Sequence, residues 1–205
     1  MSATCVGKFW AVTSFVAAVA SCVGFYFPYW LEGRYVTETG DVVPMYVGVF
    51  RRCTYPRGLP DGRVVIVEEC GRYSTFLAIP SVAWQIGTIV TGTGSSLALL
   101  LSLAAIISLC VPNIVTVRLA RTAGVLQLLA GVLVATGVSV YPYGLGNRET
   151  TQICGVTSRP YHLGDCNLYW AFYLAAMGGG LTILCSTLTC HAYRNKTDRH
   201  APYPV

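Results

Sequence analysis

Four apolar runs, at roughly 9–27, 84–111, 119–141 and 168–193, each reach the ~20 residues needed to cross a bilayer. No Asp, Glu, Lys or Arg lies deep inside any of them. Lys8 and Arg118 flank their runs, and Arg121 is near enough to an end to snorkel towards headgroups. The composition agrees: 54% of the residues are hydrophobic and 11% are charged, where a soluble domain carries about 25% charged. The chain reads as a single four-span membrane domain whose first partner is the lipid bilayer. The formal charge of +5 comes from scattered basic residues with no stripe interleaved with aromatics, so it implies no nucleic-acid partner.

The remaining segments read as connections: 28–83, 112–118, 142–167 and a tail at 194–205. The first run carries Ala18-Val19-Ala20, which resembles a signal-peptide cleavage site. Its apolar character continues past Ala20 into an aromatic belt from Phe25 to Trp30, which fits a retained span. An even number of spans puts both termini on one side. Arg118 and Arg121 by the short connection, with Arg194, Lys196 and Arg199 in the tail, assign that side to the cytoplasm. The first long loop is rich in arginine but holds as many acids, and as a folded module it is a poorer witness. Cys53, Cys70, Cys154 and Cys166 then lie in the two segments on the opposite, oxidising face. Cys5, Cys110 and Cys190 fall at the cytoplasmic ends, where palmitoylation or ordinary apolar packing would suit them.

The first outer segment centres on Pro28 to Cys70. Asp61-Gly62 is its strongest hairpin signal. A two-residue turn there pairs residues whose numbers sum to 123, and so sets Cys53 opposite Cys70. Opposed strand residues lie about 4.5–5.5 Å apart, within disulfide range. The β-branched stretch 63–67 suits the second strand, while Pro56, Gly58 and Pro60 leave a bulge or a wider loop open in the first. Four outer cysteines allow three connectivities. The pairs 53–70 and 154–166 are favoured because each closes a local loop. Residues Tyr73 to Pro80 read as a short helix or turn leading into the second span.

No enzyme constellation emerges: there is no nucleophile elbow, no phosphate loop and no Cys-x-x-Cys. Thr91-Gly92-Thr93-Gly94-Ser95 lies within a span, so close helix packing explains it better than a glycine-rich loop. His162, His191 and His200 are scattered, and no cofactor or metal site is expected. Strand alternation would put only one of Glu68 and Glu69 on a given face. Gly124, Gly131, Ala135 and Gly137 in the third run, and Ala171, Ala175 and Gly178 to Gly180 in the fourth, read as an internal helix interface. Gln85 and Gln127 read as interhelical hydrogen-bonding groups. The terminal Tyr203-Pro204-Val205 presents Tyr203 and Val205 in a pattern that a PDZ groove takes as an added strand. Such endings also arise by chance.

Several stretches together carry a resemblance. Trp30, then Gly48-Val49-Phe50, Cys53 and Cys70, resemble the claudin-type pattern of Trp, Gly-Leu-Trp, Cys and Cys, with Phe50 in place of the second Trp. Pro28-Tyr29-Trp30, Phe50-Arg51-Arg52-Cys53-Thr54-Tyr55-Pro56, Glu68-Glu69-Cys70-Gly71-Arg72-Tyr73, Tyr141-Pro142, Cys154-Gly155 and Leu163-Gly164-Asp165-Cys166 are more similar to the lipoma HMGIC fusion partner-like tetraspan family, over about 5–193. The match looks closest to the founding fusion-partner branch. Where that family commonly has Gly-Trp-Asp after the third span, this chain has Gly144-Leu145-Gly146. The resemblance implies an α-helical membrane protein: a left-handed four-transmembrane-helix bundle with a small extracellular antiparallel β-sheet. It also implies a non-enzymatic plasma-membrane protein, an accessory subunit of a channel, receptor or adhesion protein. The extracellular signature residues Trp30, Gly48, Phe50, Arg51 and Arg52 would belong to the partner-facing module, with Arg51, Arg52 and the 57–62 turn as exposed contact candidates. The alternative is a claudin-like protein that self-assembles into homo-oligomers at cell contacts.

Overall fold

The computed structural model describes residues 5–37, 40–58, 64–110 and 117–197. Its long helices are α1 (Cys5–Tyr26), α2 (Val82–Cys110) and α3 (Val117–Val140), with α5 (Trp170–Thr197) as the fourth. At about 1.5 Å per residue the 22 residues of α1 extend about 33 Å, enough for the hydrocarbon core. All four are long and apolar enough to cross a membrane. Their outward residues, such as Leu100, Val125 and Leu184, are exposed as lipid-facing positions would be. The helices pack in a ring in which α1 touches α2 and α5, and α3 touches the same two.

Small residues let the backbones meet. A Cβ on Gly24 would fall 2.6 Å from the Ala175 amide nitrogen, and one on Gly131 would fall 2.9 Å from that of Ile183. Gly178 accepts Ser21 in the same way, and Thr91 occupies the notch left by Gly137. The small residues are therefore largely an internal interface, although Gly180 faces open space. Gln127 donates to Ser14 Oγ at 2.8 Å, bridging α3 and α1. Gln85 differs from expectation. It donates to the Ile79 carbonyl at the entry to its own helix, because the chain doubles back there in a 3-10 turn at Phe76–Ala78.

Above one end of the bundle sits a five-stranded antiparallel sheet. Its strands are β1 (Leu31–Val36), β2 (Val42–Val47), β3 (Arg51–Gly58), β4 (Val64–Arg72) and β5 (Asn167–Leu168), in the order β4-β3-β2-β1-β5. The segment 142–167 is not a plain connection. It holds a 3-10 turn at Tyr141–Gly144 and a helix, α4 (Arg148–Cys154), and it leads into β5, which pairs with β1. Asn147 caps α4, its side chain accepting from the amides of Glu149 and Thr150. The fourth span also continues helically to Thr197, into the segment read as tail.

Candidate functional site: the disulfide-stapled cap

Cys53 and Cys70 are directly paired across β3 and β4 and bonded, with Cα atoms 4.0 Å apart. From Arg51 to Cys53 the register sums to 123; beyond Thr54 it sums to 122. Glu68 and Glu69 together oppose Thr54, whose φ is +52°, and this bulge shifts the ladder by one residue. Gly58 consequently pairs with Val64, a register that a two-residue Asp61-Gly62 turn would not continue. The intervening 59–63 lie outside the described residues. The bulge also breaks the alternation expected at Glu68 and Glu69, and both are exposed.

Cys154 and Cys166 form the second bridge, 4.9 Å apart at Cα. It closes α4 onto the strand-bearing segment behind it and lies against Gly33 of β1. A Cβ on Gly33 would come within 2.8 Å of Cys166 Sγ and 3.0 Å of Ile153 Cβ. The absence of a side chain there lets α4 and its disulfide settle on the sheet.

Aromatic residues lock the cap to the spans. Trp30 is fully buried and donates through Nε1 to the Gly24 carbonyl at 2.7 Å. The buried Tyr141 ring lies between the Trp30 and Trp84 rings, at centroid distances of 4.9 and 5.2 Å. The Tyr141 hydroxyl donates to the Val47 carbonyl at 2.9 Å, and Trp84 Nε1 donates to the Tyr141 carbonyl at 3.1 Å. Gly144 sits where any Cβ would strike the Trp84 indole, and Leu145 is buried beside it. Phe50, in the place of the second claudin-type Trp, packs against Phe25 of α1 at 4.8 Å. Gly48 turns the chain from β2 to β3, donating to the Arg51 carbonyl, and comes so close to Pro28 that a Cβ would lie 2.9 Å from its Cα.

Arg51 and Arg52 are half-buried rather than fully exposed, and both are engaged within the chain. The Arg51 guanidinium lies over the Tyr26 ring at 4.4 Å. Arg52 pairs with Glu149 of α4 and lies over the Tyr55 and Tyr73 rings, at 3.9 and 4.9 Å. Tyr73 donates to the other Glu149 oxygen at 2.6 Å. Burial, together with the adjacent Glu149 charge, pushes the Tyr73 phenol well above its usual range. Both Glu149 oxygens are thus occupied, and β3, the end of β4 and α4 are tied together at one point. Glu149, Tyr73 and Tyr141 were not singled out as site residues from the sequence. The available signal was the helix start at Asn147, with an acid in the first turn.

Beside this network opens a groove of about 590 Å³ between β3–β4, the segment around Pro80 and α4. Arg52, Arg72, Tyr73, Arg148, Glu149 and Gln152 line it. Arg72 and Arg148 are exposed and make no ion pair with a described residue. Among the described residues no group of three or more His, Cys, Asp or Glu could hold a metal ion. His162 is exposed. Tyr203 and Val205 lie outside the described residues, as do the side chains of Cys5, Cys110 and Cys190.

Comparison with known proteins places this architecture. The family model described as lipoma HMGIC fusion partner-like protein matches residues 6–194. The LHFPL tetraspan subfamily member 2a protein of Danio rerio is 30% identical, over 92% of this chain and 87% of its own length. The member 2 protein of Homo sapiens is 29% identical over the same shares. The member 4 protein of Mus musculus is 28% identical over 94% of this chain and 74% of its own.

Proposed function

Given that the chain belongs to the lipoma HMGIC fusion partner-like family of four-span membrane proteins, we propose that it is an accessory subunit. In this reading it binds and stabilises a channel, receptor or adhesion protein in the plasma membrane. The carrying observation is how the cap is cross-linked within itself and seated on the bundle. Two disulfides and the Arg52–Glu149–Tyr73 network tie the elements of the cap to one another, and the Tyr141 plug between Trp30 and Trp84 seats them on the spans. A cap held in this way can present one surface to a partner's ectodomain while lipid-facing helices pack on its transmembrane segments, at a reduced ordering cost on binding.

The cap faces the extracellular side and both termini face the cytoplasm. Support comes from the placement of all four bridged cysteines in the cap, which suits an oxidising compartment. It comes also from Arg118 and Arg121, exposed at the opposite end of the bundle. Residues such as Glu68, Glu69 and His162 have structural or solvent-facing roles, and the protein carries out no reaction of its own.

The test is brief crosslinking in native tissue, followed by mild-detergent purification of the tagged chain and mass spectrometry. A stoichiometric channel, receptor or adhesion protein is the expected result. Recovery of the chain alone in large assemblies would overturn the accessory reading in favour of claudin-like self-association.

A further inference from the structure

We propose that the groove between the Arg72 end of β4 and α4 is the docking site for an extended acidic segment of the partner's ectodomain. This rests on the accessory reading and specifies its contact surface. The charge balance in the groove is one-sided. Of its three guanidinium groups only Arg52 has a carboxylate partner among the described residues, and both oxygens of that carboxylate are already engaged by Arg52 and Tyr73. Arg72 and Arg148 flank the opening, exposed and unpaired with described residues. Guanidinium forks in this setting favour carboxylates over neutral or cationic chains.

The sheet adds a direction. β4 is one of the two edge strands, so its outward N–H and C=O groups have no strand partner among the described residues. An extended segment can lie along that edge by strand addition. The exposed Glu68–Glu69 bulge blocks the middle of β4, both by breaking the ladder and by repelling acidic chains. The same acids leave the Arg72 end, next to the groove, as the favourable place for an acidic segment. The exposed Gln152 amide adds hydrogen-bonding surface within it. A volume of about 590 Å³ falls within the usual ~300–1,000 Å³ range of ligand clefts.

The test uses the full chain in phosphatidylcholine nanodiscs and a fluorescein-labelled peptide of about ten glutamates with an amidated end, read by fluorescence anisotropy. Binding is expected, weakening with added salt, and reduced about tenfold in the Arg72→Glu/Arg148→Glu double variant. Arg52 and Glu149 are left intact, so the variant keeps the network that ties the cap. A non-reducing gel and the thermal transition check this, and Arg72→Gln/Arg148→Gln replaces the double variant should it fail to fold. No binding by the wild type, equal binding by the variants, or equal binding of a lysine peptide would overturn the proposal. So would preferential enrichment of phosphatidylserine in mixed nanodiscs with no competition by the glutamate peptide, which would assign the arginines to headgroups. In the crosslinking experiment, full retention of the partner by the charge variants would overturn the groove and leave the accessory reading standing. Recovery of wild type without any partner would overturn the accessory reading, while the peptide result still judges the groove.

Discussion

The bundle and the cap lie in one chain but are held by opposite means. In the bundle, helix meets helix at Gly24, Gly131, Gly137 and Gly178, where backbone touches backbone or a small side chain. Lipid tails are as apolar as the helices, so association there depends on close packing and a few hydrogen bonds such as Gln127 to Ser14. The cap buries Leu31, Met45, Val47 and Ile153 in a core continuous with the top of the bundle, and its own elements are further joined by covalent bridges and by polar and aromatic locks. The difference teaches that a missing Cβ and a disulfide answer the same requirement. Each supplies specific cohesion where burial of apolar area alone gives too little.

That contrast can be broken most strongly in the bundle. Gly24→Leu places its side chain against the Ala175 backbone, which cannot yield as a flexible side chain would. A loss of about 3 kcal/mol or more is expected, read as failed surface delivery and an aggregated profile on size exclusion. A monodisperse, normally delivered variant would contradict the close α1–α5 approach. In the cap, Cys53→Ser/Cys70→Ser should cost about 3 kcal/mol by loop entropy, and each single variant should also leave an unpaired thiol and be retained in the endoplasmic reticulum. The comparison sharpens if mild reduction lowers the first thermal transition while the far-ultraviolet helical signal of the spans persists. A simultaneous loss of both would mean that cap and bundle melt as one unit.

A smaller effect tests the seam between them. Tyr141→Phe keeps the ring between Trp30 and Trp84 but removes the hydrogen bond to the Val47 carbonyl. A loss of about 1–3 kcal/mol is expected in thermal unfolding, since the carbonyl is left buried. The last effect is read along the pH axis and concerns Tyr73. Its folded-state pKa is raised, so the phenol contributes fully below the ordinary tyrosine range near pH 10. The unfolded chain ionises first as pH rises above that, and stability should then fall. Tyr73→Phe should flatten that alkaline decline in a pH series of thermal unfolding; an unchanged slope would remove the residue from the account.

Much of this was legible in the residues. The four spans follow from length and apolar continuity alone, because a bilayer admits few other solutions. The opposition of Cys53 and Cys70 is found as read, but not by the route of a two-residue turn: the pairs between it and the turn sum to 122, and the bulge at Thr54 restores the 123 register at the disulfide. The turn beyond them was not legible, because a bulge set by Thr54, Glu68 and Glu69 moves the ladder by one residue, and such shifts carry no periodic signal. The engagement of Arg52 was likewise hidden: its partner stands 97 positions away on a helix inside a segment that read as a loop. Hydropathy and cysteine parity are properties of short stretches, and these the sequence determined by itself. Which backbone passes close enough to need Gly24 or Gly33, and which rings close around Tyr141, are properties of distances between stretches. Only the packing of the tertiary structure decided those.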